Sequence, residues 1–289
     1  MIIWLASYPK SGNTWIRAIL HQLIIKGNIH DETWISKIGR LVNSYPKIEH
    51  FQNLNSLLTK PEDFLNKKEI IKNWDISQKK LNSGNELRFL KTHNMLCSIA
   101  IDQNNFQFTD ENNTLGVIHI VRDPRNVITS LKNHFSFESY DKALDFITDE
   151  NRWVGTEKNY VPHLLSSWER NFESWSRFSK NYILFKYEEI LQNPKKQIER
   201  LIEYLQKFIE IKHNQELIDK ITNETSFENL KKLEKKGLFL EQVDNKKTKK
   251  KVNFFHLGSK NNYKELLDKK IIDEIEKKFQ NTMKKLNYL

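Results

Sequence analysis

The chain has 289 residues, with 47 Lys and Arg against 37 Asp and Glu, a formal net charge of +10, 38% hydrophobic residues and only 8 Gly and 6 Pro. This is a globular composition, neither disordered nor fibrous, and the length suffices to bury a large core without covalent staples. The single cysteine, Cys97, excludes an internal disulfide framework and a Cys-rich zinc site and fits a reducing environment.

Met1 leads directly into Ile2-Ile3-Trp4-Leu5-Ala6, a continuously apolar run that predicts a buried parallel strand. No basic n-region precedes it, and no apolar run approaches the roughly 18 residues that span a bilayer, so a cytoplasmic protein without a transmembrane segment is expected. Ser7 to Asn13 is turn chemistry. From Thr14 the spacing of Ile16, Ile19, Leu20, Leu23 and Ile24 predicts a helix, stopped by Gly27. Residues 31–87 are polar and Asn/Lys-rich, with helical patches.

A second strand is predicted over residues 88–92, ending at His93. A third, over 116–121, runs into Arg122-Asp123-Pro124, where Asp123 suits a helix cap and Pro124 the first helical position. Val127, Ile128 and Leu131 form the inward face of that helix. Trp168, Phe172 and Trp175 mark another amphipathic helix and are assigned to the core. A fourth strand is predicted over 182–187, and a helix from 194 to about 208. Strands alternating with helices predict an α/β fold, a three-layer αβα arrangement with a central parallel sheet, as one domain over residues 1–289.

A buried strand opening through a Gly-containing loop onto a helix start is an anion site, because backbone N–H groups and the helix dipole converge there. Lys10, Ser11, Asn13 and Thr14 add a cation and small donors. The ATPase loop, which places Lys directly after its second glycine, is not matched: Lys10 precedes the lone Gly12 by two positions.

Read as a string, Ser7-Tyr8-Pro9-Lys10-Ser11-Gly12-Asn13-Thr14-Trp15 resembles the 5′-phosphosulfate loop of sulfotransferases that use 3′-phosphoadenosine 5′-phosphosulfate (PAPS). Arg122-Asp123-Pro124-Arg125-Asn126-Val127-Ile128-Thr129-Ser130 resembles their 3′-phosphate motif, and Lys91-Thr92-His93 the strand end that presents the catalytic base. Tyr187 and Thr225-Ser226-Phe227 match further cofactor contacts. The likeness runs from residue 3 to about 264 and implies a P-loop-like strand-loop-helix at the N-terminus.

The resemblance also implies roles. His93 is the expected general base, since an imidazole titrating near pH 6.5 is largely neutral at pH 7. Lys10 is expected to stabilise charge on the leaving 5′-phosphate. Arg122 and Ser130 are expected at the 3′-phosphate, with Ser130 also restraining Lys10. Trp15 and Phe227 would sandwich adenine, and Lys91 with His93 would meet the acceptor. No metal site is read: paired His/Cys spacing is absent. His119, between Ile118 and Ile120, reads as structural. The acceptor is left as a small molecule, lipid or glycan, with its pocket expected from residues 31–87 and 136–165. Oligomeric state stays open.

The last family motif departs. Where Arg-Lys-Gly and Gly-Asp-Trp are usual, this chain has His256-Leu257-Gly258 and Asn261-Asn262-Tyr263, so two cations facing the 3′-phosphate are replaced. Residues 231–289 nonetheless hold 17 Lys against 8 acidic residues, a net of +9, leaving +1 for the first 230. The cluster from Lys246 to Lys251 either substitutes for the missing cations or is a solvated face. Two other functional classes remain open: a P-loop-type nucleotide or small-molecule kinase, disfavoured by the missing Gly-Lys-Ser/Thr, and a polyanion or nucleic-acid binder using the basic C-terminal region. Specific nucleic-acid recognition is not expected, as no recognised module is present.

Overall fold

A computed structural model describes the chain except for residues 26–31, 55–56, 85, 156–158, 245–247 and 249–250. The principal elements, in chain order, are β1 (Ile2–Ser7), α1 (Asn13–Ile24), β2 (Val42–Ser44), α2 (Trp74–Asn82), β3 (Arg88–Thr92), β4 (Thr114–Val121), α3 (Pro124–Phe135), α4 (Trp168–Ser176), β5 (Tyr182–Lys186), α5 (Tyr187–Gln192), α6 (Pro194–Leu205), α7 (Gln215–Glu224), α8 (Phe227–Lys235) and α9 (Lys269–Lys278). The chain forms two compact units, each built from three interleaved segments. The first comprises Met1–Tyr8, Val42–Ile120 and Phe146–Leu184; the second comprises Pro9–Leu41, Val121–Asp145 and Phe185–Leu289.

The fold is α/β. Its central sheet has five strands in the order β2-β3-β1-β4-β5, and the β2–β3, β3–β1 and β1–β4 pairs are parallel. Every residue of β1 is buried, as expected of a strand covered on both faces. In the first unit, Ile2, Trp4 and Ala6 pack with Leu90 and Val117 of neighbouring strands and with Trp74 of α2 and Trp175 of α4. Trp4 meets Tyr45 edge-on at 5.3 Å, and its indole N–H donates to Thr114 Oγ1 at 3.0 Å, so the largest side chain of the strand is buried without an orphaned polar atom. Register pairs Ala6 with Thr92 and Ser7 with Ile120, which brings Ser7 and His93 to the carboxyl edge of the sheet, where open α/β sheets bind ligands.

The second unit has its own core, in which Ala18 of α1, Trp34, Ile35 and Ile38 pack with Leu230 and Leu233 of α8 and with Phe239 and Phe255. A bidentate ion pair, Arg17 to Glu241 at 2.6 and 2.8 Å, ties α1 to the C-terminal segment. Helix starts follow local chemistry. Asp123 accepts from the Arg125 N–H ahead of α3, and Asn193 from the Lys196 N–H ahead of α6, each with Pro at the first helical position.

The expected strands and helices are present with small shifts. β4 starts at Thr114, earlier than its apolar run, and α6 ends at Leu205. Tyr187 opens α5 instead of closing β5. Gly27 and the lysines at 246, 247, 249 and 250 lie outside the described residues. Among the described residues no helix is long and apolar enough to cross a membrane.

Candidate functional site

In the second unit the phosphate-type loop is held in an unusual backbone conformation. Lys10 takes φ 67° and Gly12 φ 102°, both left-handed. A Cβ on Gly12 would also lie 2.6 Å from the Tyr187 ring, so this position requires glycine on two counts. Gly12 caps α1 with no side-chain hydrogen bond, and no acidic residue occupies the first turn, so the positive end of the helix is not neutralised locally. Ser11 is fully buried, and its hydroxyl has no hydrogen-bond partner among the described residues. Asn13 and Thr14 are buried beside it.

Arg122 follows β4 and reaches this loop. Its Nη1 donates to the Lys10 carbonyl and to Ser130 Oγ, each at 3.2 Å, and its guanidinium lies 4.0 Å over the Tyr187 ring. Tyr187 also meets Trp15 edge-on at 5.6 Å. Lys10, Gly12, Trp15, Arg122, Ser130 and Tyr187 are therefore gathered by direct contacts. Lys10 Nζ sits 3.6 Å from the centre of the Phe254 ring, a cation–π contact.

The remaining motif residues line the same unit. Gly258, at φ 58°, has no room for a Cβ because Phe227 packs against it. Trp15, Phe227 and Phe254 all border the second-unit core, half-buried. Glu234 of α8, itself buried, accepts from the backbone N–H groups of Phe254 at 2.6 Å and Phe255 at 3.0 Å, and Lys231 donates to the His256 carbonyl at 3.3 Å. These contacts fix the path of His256-Leu257-Gly258, while the His256 side chain is exposed. Thr225 and Ser226 have local duties: the Thr225 hydroxyl donates to the Ile221 carbonyl at 2.8 Å, and Ser226 Oγ caps α8 by accepting from Asn229 N–H at 3.3 Å.

Part-buried polar contacts hold His93 in the first unit. Its Nδ1 lies 2.6 Å from the Ser7 carbonyl, which can only accept, so Nδ1 carries the proton and Nε2 is the basic nitrogen of the neutral ring. Asn171 of α4 donates to the His93 carbonyl and the Leu165 carbonyl, both at 2.9 Å, and the Trp175 indole donates to the Asn94 carbonyl at 2.8 Å. Lys91 is half-buried in β3, its carbonyl accepting from Tyr45 N–H at 2.8 Å. His119 is a core residue. It stacks on Phe172 and bonds Tyr182 at 2.7 Å through Nδ1, and burial pushes its imidazole down to about 3. Among the described residues no three His, Cys, Asp or Glu side chains gather as a metal site.

Sequence reasoning did not find Phe254, Glu234 or Asn261. Asn261 is buried and donates to Ser130 Oγ at 3.2 Å. Its only signal was its place in the motif that departs from the family pattern.

The sulfotransferase domain family model matches residues 2–287. Mouse sulfotransferase 1B1 is 26% identical over 240 residues, 79% of this chain and 65% of its own length; rat sulfotransferase 1E1 is 26% identical over 228 residues, 78% and 64%. The chain thus spans slightly less than two thirds of the length of these relatives. A crystal structure of retinol dehydratase in complex with androsterone and the inactive cofactor PAP superposes with a TM-score of 0.64 at 16% identity, over 98% of this chain and 80% of that one. Mouse SULT7A1 complexed with PAP gives 0.56 at 17%, over 98% and 84%. At such identities the structural likeness is one of fold. Together with the family match along nearly the whole sequence, it establishes that the chain belongs to the sulfotransferase domain family.

Proposed function

We propose that the chain transfers a sulfuryl group from PAPS to a hydroxyl, or an amine, of a small-molecule, lipid or glycan acceptor. The observation that carries this reading is that Arg122 bridges the Lys10 carbonyl and Ser130 Oγ at the start of α1, which has no side-chain cap. The residues fit such a donor: a buried Ser11 hydroxyl without a partner among the described residues, a loop glycine kept bare by Tyr187, and a helix start with no acidic residue in its first turn.

Lys10, Ser11, Gly12, Asn13 and Thr14 would hold the 5′ end, and Arg122 and Ser130 the 3′-phosphate. Trp15 and Phe227 would flank adenine, with Tyr187, Thr225, Ser226, His256, Leu257 and Gly258 completing the cradle. PAPS, when bound, supplies an activated sulfuryl group whose leaving group is 3′,5′-phosphoadenosine (PAP). His93, with Nδ1–H committed to Ser7, takes the acceptor proton at Nε2. Lys91 orients the acceptor. Lys10 supplies positive charge where the leaving phosphate becomes more negative. No metal is required of these residues.

Thermal stabilisation tests the reading. PAP at 100 times its dissociation constant should add about 2.7 kcal/mol of stability. Stabilisation by ATP with magnesium and not by PAP would overturn it in favour of a kinase. His93→Ala should keep the PAP response and lose roughly 10²- to 10⁴-fold in transfer rate.

A further inference from the structure

Ser130 Oγ accepts two hydrogen bonds, from Arg122 Nη1 and from Asn261 Nδ2, each at 3.2 Å. A hydroxyl has two acceptor positions and one proton. Both donors are N–H groups that cannot accept, so the Ser130 proton is left to give, and it has no acceptor among the described residues.

The orientation of the Asn261 amide follows from its neighbours. Its Nδ2 lies 3.0 Å from the Asn126 carbonyl, which only accepts and so fixes the amide; this leaves Oδ1 2.5 Å from the Thr129 hydroxyl, whose single proton it shares with the Asn126 carbonyl at 2.7 Å. Asn126 also holds the Tyr263 N–H through its side-chain oxygen at 3.1 Å, and the Asn261 N–H is tied to the Gly258 carbonyl at 3.1 Å. Asn261 is 9% exposed, so this amide is locked among α3 side chains and carbonyls.

We propose that Asn261 is a positioning residue for recognition of the donor's 3′-phosphate. With Arg122 it fills the acceptor positions of Ser130 and so commits the hydroxyl to donate to an anion. In a chain with His256 and Leu257 at the two usual cationic positions, a hydroxyl locked as a donor beside Arg122 supports discrimination for the 3′-phosphate. This assignment rests on the donor-site reading above.

The test is calorimetric titration of the full chain with PAP and with adenosine 5′-monophosphate, which lacks the 3′-phosphate. Wild type should prefer PAP. Asn261→Ala should weaken PAP about tenfold, the scale of one hydrogen bond to a charged group, and leave the monophosphate within about twofold. Asn261→Asp keeps the shape and the Thr129 contact but offers an oxygen that draws the Ser130 proton away; its PAP affinity should fall further than that of Asn261→Ala. In a Ser130→Ala background, Asn261→Ala should cost nothing more. A wild type indifferent to the 3′-phosphate overturns the donor-site reading and this assignment with it. A wild type that prefers PAP, with variants that lose both nucleotides equally or lose as much without Ser130, overturns the assignment alone.

Discussion

Gly12 shows how one missing side chain shapes the site. Its φ of 102° is strained for any L-residue, and the Tyr187 ring occupies the space a methyl would take. Gly12→Ala should therefore lower stability by about 1–2 kcal/mol from the backbone alone, with a further loss from moving a ring that also carries Arg122. A melting temperature several degrees lower, together with a PAP affinity reduced more than tenfold, is the expected result; an unchanged affinity would mean that the loop and Tyr187 do not shape the donor site. At this scale the local motif was legible: Lys10 through Thr14, Arg122 and Ser130 are short strings whose chemistry is set by near neighbours in sequence. Asn261 was not, because its partner Ser130 is 131 residues away and the contact exists only after folding. The perch of Lys10 on Phe254 is hidden for the same reason. An aromatic residue in a lysine-rich stretch announces no partner.

Among elements, β3 and α4 determine where His93 stands. The β1–β3 register sets Thr92 beside Ala6, and Asn171 in α4, with no exposed surface, holds the carbonyls of His93 and Leu165. Asn171→Leu would leave the buried Leu165 carbonyl and the part-buried His93 carbonyl without that donor, at a cost of about 1–3 kcal/mol for the buried one. Because it acts on the base and not on the nucleotide loop, kcat should fall while PAP affinity stays at the wild-type value; a loss of PAP affinity with kcat intact would contradict the assignment of His93 to proton transfer. The elements themselves were largely readable. β1 is a continuous apolar run, and α3 and α6 open on Asp-Pro and Asn-Pro, each a strong local signal. β2 was not readable: Val42-Asn43-Ser44 has one apolar residue and becomes a strand by pairing with Phe89, Leu90 and Lys91. Nor does the sequence show two compact units, because their segments alternate along the chain and no linker composition separates them.

For the molecule as a whole, the net charge of +10 at pH 7 grows on acidification, but the four buried imidazoles of His21, His50, His119 and His163, each pushed below its ordinary range by burial, make the sharper contribution. Burial holds His50 and His163 down to about 4 and His119 to about 3, all within the first unit. Glu49 partly opposes this at His50 while Lys47 assists it, Lys91 assists at His163, and His119 faces the Tyr182 hydroxyl. In the unfolded chain these groups titrate near 6.5. Below that pH the unfolded state binds protons that the folded state refuses, so stability is full above about pH 6.5 and is lost as pH falls toward the folded values. Each histidine contributes a slope of up to about 1.4 kcal/mol per pH unit over that window. Growing positive repulsion would give a limb of the same sign, but salt screens surface charge and barely touches burial. The melting temperature should therefore fall between pH 6.5 and 4.5 even in about 0.5 M salt. His119→Gln, which removes the titration and keeps an amide near Tyr182, should flatten the limb by about one quarter to one third. An acid limb that is abolished by salt, or that is identical in His119→Gln, would place the acid sensitivity on the surface charge and not in the buried imidazoles.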